Sequence, residues 1–183
     1  MAAMADRGKP KLKIAETTRL ILRGFESKDA ESLYDLFQDK EVMRFSTGTL
    51  SQDETDLWLG SQIENYKTLG FGLWAVIKKQ DGEFIGYCGL VNFPDLLGRQ
   101  EVEVAYRLKR PFWNFGYATE AAIAVRDYTF EMLRINRVIS LIDPNNIASI
   151  NVAKKIGMTY EKDVMLESYD YPDRMYSMSK DGT

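Results

Sequence analysis

The sequence has 183 residues and a mass of 21.0 kDa, with 45% hydrophobic and 28% charged residues, which fits one ordinary globular domain. Its formal net charge of −3 leaves no basic excess that could neutralise a run of phosphates, so we expect no nucleic-acid partner. It contains no histidine, which argues against zinc chemistry and serine-histidine hydrolysis and leaves any general base to another side chain.

The N-terminal part of the chain predicts a leader, one strand and two helices. Residues 1–15 contain glycine, proline and several lysines without a long apolar stretch, so we expect a flexible leader before a single domain over residues 16–183. Hydrophobic and polar residues alternate in the segment TTRLILRGF, which indicates a half-buried strand. Two helices should follow, with Ser27 and Ser51 as N-caps, because apolar residues recur at helical spacing after each serine.

The middle of the chain predicts three strands. Two apolar runs in LWAVIKKQDGEFIGYCGLV are separated by Asp81-Gly82, a dipeptide that favours the tight turn of a β-hairpin. A loop that contains Pro94 is expected next, and the alternation in VEVAYRL then indicates another strand. The two faces of that strand carry Val102, Val104, Tyr106 and Leu108 on one side and Glu103, Ala105 and Arg107 on the other.

The C-terminal part predicts a helix, a strand, a second helix and a hairpin. Apolar residues from Ala118 to Met132 recur at helical spacing after Gly116, and RVISLI has the composition of a strand. A short helix in ASINVAKKIG should end at Gly157, and two tyrosine-rich runs then predict a hairpin. Because hairpins pair antiparallel and a strand-helix-strand crossover pairs parallel, we expect an α/β (α+β) domain with a mixed sheet of about seven strands and about four helices.

The segment YRLKRPFWNFGYATEA joins a strand to a helix through Gly116. The unpaired amides of the first helical turn, from Gly116 to Thr119, form a cup that the helix dipole biases toward anions. A pyrophosphate fits such a cup, to which Thr119 adds a hydroxyl and Arg110 a nearby positive charge. Many helices that bind no phosphate also begin after a glycine, so both interpretations stay open at this point.

Four segments, in this order, span nearly the whole chain. They are TTRLILRGF, GFGLWAVIKKQDGEFIGYCGL, VEVAYRLKRPFWNFGYATEA and PNNIASINVAKKIGM. Together they resemble the GNAT acetyltransferase superfamily, specifically its RimJ/RimL-like branch. The resemblance implies a mostly antiparallel sheet, acetyl-CoA (coenzyme A) as the acetyl donor and a primary amine as the acceptor, with a protein N-terminus slightly preferred over a small-molecule amine. A catalytically idle module that binds acyl-CoA is the alternative.

The resemblance also implies where the cofactor binds. The strand end around Tyr106 to Leu108 would pair with pantetheine, and Asn146 looks like an asparagine that faces the cofactor in the family. Lys155 matches the position of a cation for the nucleotide 3′-phosphate. The amides that would hold the pyrophosphate belong to Phe115, Gly116, Tyr117 and Ala118.

Two positions depart from the family pattern. Trp113 stands three residues before the first glycine, where the superfamily often has Gln or Arg, and this leaves Arg110 as the nearby cation. The tyrosine that many relatives use as general acid would fall at Ala153, so that role is vacant or reassigned. The second departure favours the idle-module alternative.

Amine attack on a thioester requires a base for the amine proton. Glu103 lies on the strand expected beside the thioester and suits this role if its pKa is raised; the alternative is a structural carboxylate paired with Arg107 or Arg137. Ser149 is our candidate proton donor for the departing thiolate, and the alternative is an N-cap of the helix that follows it. A backbone amide near Leu108 would stabilise the oxyanion.

The single cysteine, Cys88, excludes an intrachain disulfide and fits a reducing compartment. It lies in an apolar strand, where a small buried thiol is a simpler interpretation than an acyl-enzyme nucleophile. No apolar run approaches the roughly 18 residues that a membrane helix needs. We therefore expect a cytoplasmic protein, a monomer or a homodimer, without a membrane, nucleic-acid or metal partner.

Overall fold

The computed structural model describes residues 13–167 and 169–181. Within that part of the chain, four α-helices accompany one eight-stranded sheet, and no helix there is long and apolar enough to cross a membrane. In chain order the elements are β1 (Lys13–Glu16), β2 (Leu20–Arg23), α1 (Ala30–Phe37), α2 (Gln52–Thr68), β3 (Leu73–Lys78), β4 (Phe84–Leu96), β5 (Arg99–Leu108), α3 (Tyr117–Glu131), β6 (Arg137–Ile142), α4 (Ile147–Lys155), β7 (Thr159–Val164) and β8 (Asp173–Ser179).

The sheet is mixed and mostly antiparallel, as predicted. Its strand order is β1-β2-β3-β4-β5-β6-β8-β7, and every neighbouring pair is antiparallel except β5 and β6. Helix α3 makes the crossover between those two parallel strands. The sheet has one strand more than expected because β1 starts at Lys13, inside the segment assigned to the leader, and pairs with β2. The rest of that segment, residues 1–12, lies outside the described residues.

Strands β4 and β5 form a longer hairpin than the sequence predicted. The loop expected around Pro94 is wrong, because β4 runs through that proline and only Leu97 and Gly98 separate it from β5. These two residues have φ angles of 55° and 84°, the backbone of a two-residue hairpin turn. The register shifts between Phe93 and Leu96, so the proline sits at an irregularity and not in the regular ladder.

The two predicted N-caps have different outcomes. Ser51 caps α2, because its Oγ accepts the N–H of Glu54 and the Glu54 carboxylate accepts the N–H of Ser51. Ser27 is not a cap: Glu26 holds that position and forms a capping box with Asp29 at a short 3₁₀ turn before α1. Both helices nevertheless begin within a few residues of the predicted starts.

Two buried clusters hold the sheet between its helices. One cluster includes Leu36 and Phe37 of α1 and packs with α2 on one face of the sheet. The other joins Val104 of β5 to Ala121 and Val125 of α3, all at most 1% exposed. Burial of each large aliphatic side chain stabilises the fold by about 1.5–3 kcal/mol. The second cluster fixes α3 against β5 and thereby sets the position of its first turn.

Strands β5 and β6 diverge soon after they meet. Their one register pair is Glu103 with Ile139. Beyond it, the Ser140 Oγ donates to the carbonyl of Val104 at 2.8 Å, which is a side-chain contact in place of a backbone ladder. An opening therefore forms between the C-terminal ends of the two parallel strands, where ligands commonly bind in α/β sheets.

Candidate active site

A cavity of about 630 Å³ occupies the opening between β5 and β6. It extends from the first turn of α3 across the end of β5 to α4 and the start of β8. Its volume lies within the range of small-molecule and cofactor sites. The predicted site residues that line it are Glu103, Tyr106, Leu108, Gly116, Tyr117, Ala118, Thr119, Asn146, Ser149 and Lys155.

The first turn of α3 presents unobstructed backbone amides to this cavity. Gly116 is the N-cap residue, with a left-handed backbone at φ 80°, and no side chain caps the helix. The first amides, those of Tyr117, Ala118 and Thr119, therefore have no capping partner in the described part of the chain. Such a turn attracts anions, because the amides and the helix dipole both favour negative charge.

Two predicted cofactor residues do not line the cavity. The Nε of Arg110 lies 2.6 Å from Oδ2 of Asp39, so its charge is already paired. Phe115 is 63% exposed, and its carbonyl accepts a hydrogen bond from Nη1 of Arg19 at 3.0 Å. Neither residue belongs to the cavity lining, and the phosphate contacts expected of the Arg110 side chain and the Phe115 amide stay predictions.

Arg19 braces the turn that enters α3, a role that the sequence did not reveal. Its guanidinium lies 4.3 Å from the centre of the Tyr117 ring, and its Nε donates to Oε2 of Glu120 at 2.6 Å. Together with the bond to the carbonyl of Phe115, these contacts tie the start of β2 to the first turn of α3. Glu120 lies 101 positions further along the chain, so no local pattern signals the pairing.

The edge of β5 that faces the opening has backbone groups directed toward the cavity. The carbonyl of Val104 accepts from Ser140, and the carbonyl of Leu108 accepts from Nε1 of Trp113 at 2.7 Å. Both carbonyls thus point toward β6, and because backbone groups alternate along a strand, those of Tyr106 point the same way. Trp113, the departure from the family pattern, joins the end of β5 to the turn before α3.

Glu103 lies where the two strands diverge, without either arginine that the sequence suggested as a partner. Nη2 of Arg137 lies 2.7 Å from Oε2 of Glu161, and Arg107 donates to the Oγ of Ser46. The interpretation of Glu103 as half of an ion pair with one of these arginines is therefore wrong. A carboxylate that faces a cavity without a counter-charge is available for proton transfer.

The surroundings of Glu103 raise the pKa of its carboxyl to near neutral pH. Burial raises the pKa of its carboxyl from 4.5 to about 7, while the N–H of Leu141, which donates to Oε1 at 2.9 Å, lowers it and the charge of Asp173 raises it further. The group is therefore divided between its protonated and ionised forms near pH 7. A general base is most effective when its pKa lies close to the working pH.

Helix α4 places Ser149 in the cavity without using its hydroxyl as a cap. The helix begins at Ile147, and the N-cap is Asn146, whose Oδ1 accepts the N–H of Ser149 at 3.1 Å. The N-cap interpretation of Ser149 is therefore wrong. The hydroxyl of Tyr106 reaches the carbonyl of Ser149 at 3.5 Å, and burial raises the pKa of this tyrosine, so it keeps its proton. Ala153 lines the same wall of the cavity.

The end of the cavity beside β8 is acidic and aromatic. Asp143, after the end of β6, accepts the N–H of Asn145 at 2.7 Å and the hydroxyl of Tyr171 at 2.5 Å. Asp173, at the start of β8, is only 8% exposed, and Tyr169, four residues earlier in the chain, also lines the cavity. The two aspartates were not predicted as site residues, because each is a single acidic residue between strand segments with no motif around it.

Relatives of known sequence cover most of the chain. The uncharacterized protein YkkB of Bacillus subtilis (strain 168) is 41% identical over 150 residues, which is 81% of this chain and 86% of that protein. The spermidine N(1)-acetyltransferase of Escherichia coli (strain K12) is 28% identical over 154 residues, 81% of this chain and 77% of that enzyme.

A solved structure and a model of a protein family also match this chain. The crystal structure of an acetyltransferase from Agrobacterium tumefaciens str. C58 matches with a TM-score of 0.78 and 26% identity, and covers 98% of this chain and 100% of its own. The model of the acetyltransferase (GNAT) domain matches residues 19–159. The chain therefore belongs to the GNAT acetyltransferases, and it is an N-acetyltransferase that depends on acetyl-CoA.

Proposed function

We propose that this enzyme transfers the acetyl group to a primary amine by direct attack within a ternary complex. The observation that carries the proposal is Glu103, a carboxylate at the junction of β5 and β6 that has no cationic partner among the described residues and lies in the same cavity as the first turn of α3. The acceptor is a protein N-terminal amine or a small-molecule amine. Membership of the RimJ/RimL-like branch is part of the proposal and rests on the sequence segments quoted above.

The residues around the cavity suit acetyl-CoA, which supplies an activated thioester. The amides of residues 116–119 would bind its pyrophosphate, since they are uncapped and lie at the positive end of a helix. The backbone groups of Tyr106 and Leu108 would pair with the pantetheine amides along the open edge of β5. Lys155, exposed in the last turn of α4, would meet the nucleotide 3′-phosphate.

Glu103 then takes the proton of the attacking amine, directly or through a water molecule. A protein α-amine has a pKa of about 7.7–8.0 and an alkyl amine one near 10.4, so both require a base near neutral pH. With a pKa of about 7, Glu103 is ionised in a large fraction of molecules and accepts a proton readily. The bond from Leu141 holds the carboxylate toward the cavity.

Two further roles complete the reaction, those of the oxyanion donor and of the proton donor to the thiolate. The N–H of Leu108 points into the opening and would stabilise the negative charge that develops on the carbonyl oxygen of the thioester. Ser149 is the first candidate to protonate the departing thiolate, because its hydroxyl is not used as a cap. Tyr106 is the second, because its hydroxyl lies beside the same turn of α4 and retains its proton.

Cys88 has no part in this mechanism, because it is fully buried in β4 and burial raises the pKa of its thiol. A buried free cysteine is also compatible with the cytoplasmic location that we propose.

The decisive experiment incubates the protein with acetyl-CoA and a panel of amines and N-terminal peptides, and follows thiol release. We expect turnover with at least one amine and thermal stabilisation by acetyl-CoA. Stabilisation without turnover for any acceptor would favour the idle-module alternative. Neither stabilisation nor turnover would reject the proposal as a whole.

A further inference from the structure

Two aspartates face each other across β6 and β8 at the wall of the cavity. The last register pair of these strands is Ile142 with Arg174, so Asp143 stands opposite Asp173 one position further. Side chains directly opposite in an antiparallel pair have Cβ atoms about 4.5–5.5 Å apart, and like charges there are destabilising. Both aspartates line the cavity, so this repulsion acts where a ligand can reach it.

Asp173 lacks the hydrogen bonds that satisfy its neighbour. Asp143 accepts from Asn145 and Tyr171, whereas no group in residues 13–167 and 169–181 donates to the carboxylate of Asp173. Asp173 is only 8% exposed, and its burial together with the charge of Asp143 raises the pKa of its carboxyl. Asp173 lines the cavity, so a cation or a donor from a ligand can meet a carboxylate that no described protein group satisfies.

The positive side chains that line the cavity are engaged elsewhere. Arg107 donates to Ser46, and Arg44 pairs with Glu41 in the loop between α1 and α2. Lys155 lies in the last turn of α4, on the side of the cavity assigned to the cofactor. Within the described residues, neither aspartate forms an ion pair with a lysine or arginine, and the one charge that shifts the pKa of Asp173 is that of Asp143.

We propose that Asp173 and Asp143 bind a second positive charge of the acceptor, so that the substrate is a small alkyl diamine. This rests on the proposed function, because Glu103 takes the proton of the reacting amine while the aspartates hold the other ammonium group. Glu103 accepts the N–H of Leu141, and Asp143 follows two residues later, so roughly 6–7 Å of backbone separates Leu141 from Asp143. A short diamine with about four carbons is therefore our first probe.

The first test compares putrescine with butylamine, which has the same alkyl chain and one amine fewer. Initial rates of thiol release at saturating acetyl-CoA give kcat/KM for each amine. We expect a preference of about tenfold or more for putrescine, because butylamine forgoes a charge-assisted hydrogen bond to a buried carboxylate. Equal values for the two amines would overturn the inference and leave amine acetylation intact. No turnover with any amine would instead reject the proposed function.

The second test removes the charge of Asp173. In the Asp173→Asn variant, the ratio of kcat/KM for putrescine to kcat/KM for butylamine should fall to about one. The matched control is Asp163→Asn on β7: Asp163 does not line the cavity, and its Oδ1 accepts from the hydroxyl of Tyr160 at 3.2 Å. This control removes the same charge and should keep the full ratio.

Thermal stabilisation by acetyl-CoA shows whether each variant is folded. If Asp173→Asn lowers kcat/KM equally for putrescine and butylamine, so that their ratio is preserved, Asp173 has a structural role and the inference is contradicted. A protein N-terminal peptide preferred over putrescine by the wild-type enzyme would contradict it as well. If Asp173→Asn does not fold, Asp143→Asn and the wild-type comparison still decide the question.

Discussion

Glu101 and Glu103 lie two residues apart on one face of β5, but their carboxylates have different neighbours. Glu101 is 3% exposed and pairs with Arg99 and with Arg137, whose Nε lies 3.2 Å from its Oε2. Glu103 accepts the N–H of Leu141 and has no cationic partner among the described residues. A glutamate is therefore part of an ion-pair network where β5 approaches the start of β6, and another glutamate is a titratable group where the two strands diverge.

The divergence of the strands explains this difference. Arg137 is the first residue of β6 and lies beside Glu101, so a cation is supplied where the strands approach each other. The backbone pairing of β5 with β6 ends after Glu103 and Ile139. The Glu103 carboxylate then accepts the N–H of Leu141, which a backbone carbonyl would accept in a continued ladder. Within two residues of one strand, a carboxylate paired with arginines is thus followed by one that our proposal assigns to the chemistry.

The largest expected effect comes from Glu103→Gln. The substitution keeps the shape of the side chain and removes the base, so kcat should fall by about 10²–10⁴-fold. Stability should not decrease, because the variant no longer buries an unpaired charge. Steady-state rates and thermal unfolding measure the two effects. A loss of less than about threefold in kcat would remove Glu103 from the mechanism.

Glu101→Gln should give the opposite result. It leaves Arg137 with Glu161 alone and removes buried charged hydrogen bonds, which we expect to lower the free energy of unfolding by about 1–3 kcal/mol. Activity per folded molecule should stay within a few-fold of wild type. Urea unfolding and active-site-normalised rates measure both. A catalytic loss as large as that of Glu103→Gln would show that the two positions do not differ in role.

The leaving-group side of the reaction offers a smaller effect. Ser149→Ala should lower kcat by about tenfold, because general-acid assistance to a thiolate is worth less than removal of an amine proton. Stability should be unchanged, because Asn146 caps α4. Tyr106→Phe is the matched comparison for the second candidate. If only Tyr106→Phe lowers kcat, the proton donor is the tyrosine.

The smallest expected effect concerns the cofactor side, which is built from backbone. Gly116→Ala places a Cβ on a residue at φ 80°, which costs about 1–2 kcal/mol, although the nearest atom outside its chain neighbours, Nη2 of Arg19, is 3.6 Å away. Binding of acetyl-CoA should weaken several-fold, while the dependence of kcat on Glu103 is retained. Calorimetric titration measures the affinity. An unchanged affinity would place the pyrophosphate elsewhere.

The elements that the sequence predicted well are those with local signals. The Asp81-Gly82 hairpin, the cap at Ser51 and the glycine that opens α3 each depend on a few adjacent residues, and the structure has all three. Strand β1 is only four residues long and contains two charged residues, so its pattern is too short to recognise. The turn at Leu97 was missed because a left-handed leucine is rare.

The site was less predictable because its decisive contacts join distant parts of the chain. The pairing of Arg110 with Asp39 spans 71 positions, and it engages a cation that the sequence assigned to phosphate. Among the described residues Glu103 lacks a cationic partner because Arg137 bonds Glu101 and Glu161 instead, which no strand pattern encodes. The opposition of Asp143 and Asp173 requires the register of β6 and β8.

The pH dependence of turnover, measured in the wild-type enzyme and in Glu103→Gln with the same amine, tests the central claim most directly. Because the folded-state pKa of Glu103 is raised to about 7, its basic form is lost as the pH falls through that value. The ratio of the wild-type rate to the Glu103→Gln rate should therefore fall about tenfold for each pH unit below 7. Above pH 7 the ratio should reach a plateau, since the titration of the amine is common to both enzymes. A ratio that is independent of pH between 5 and 9 would contradict the assignment of Glu103 as the base.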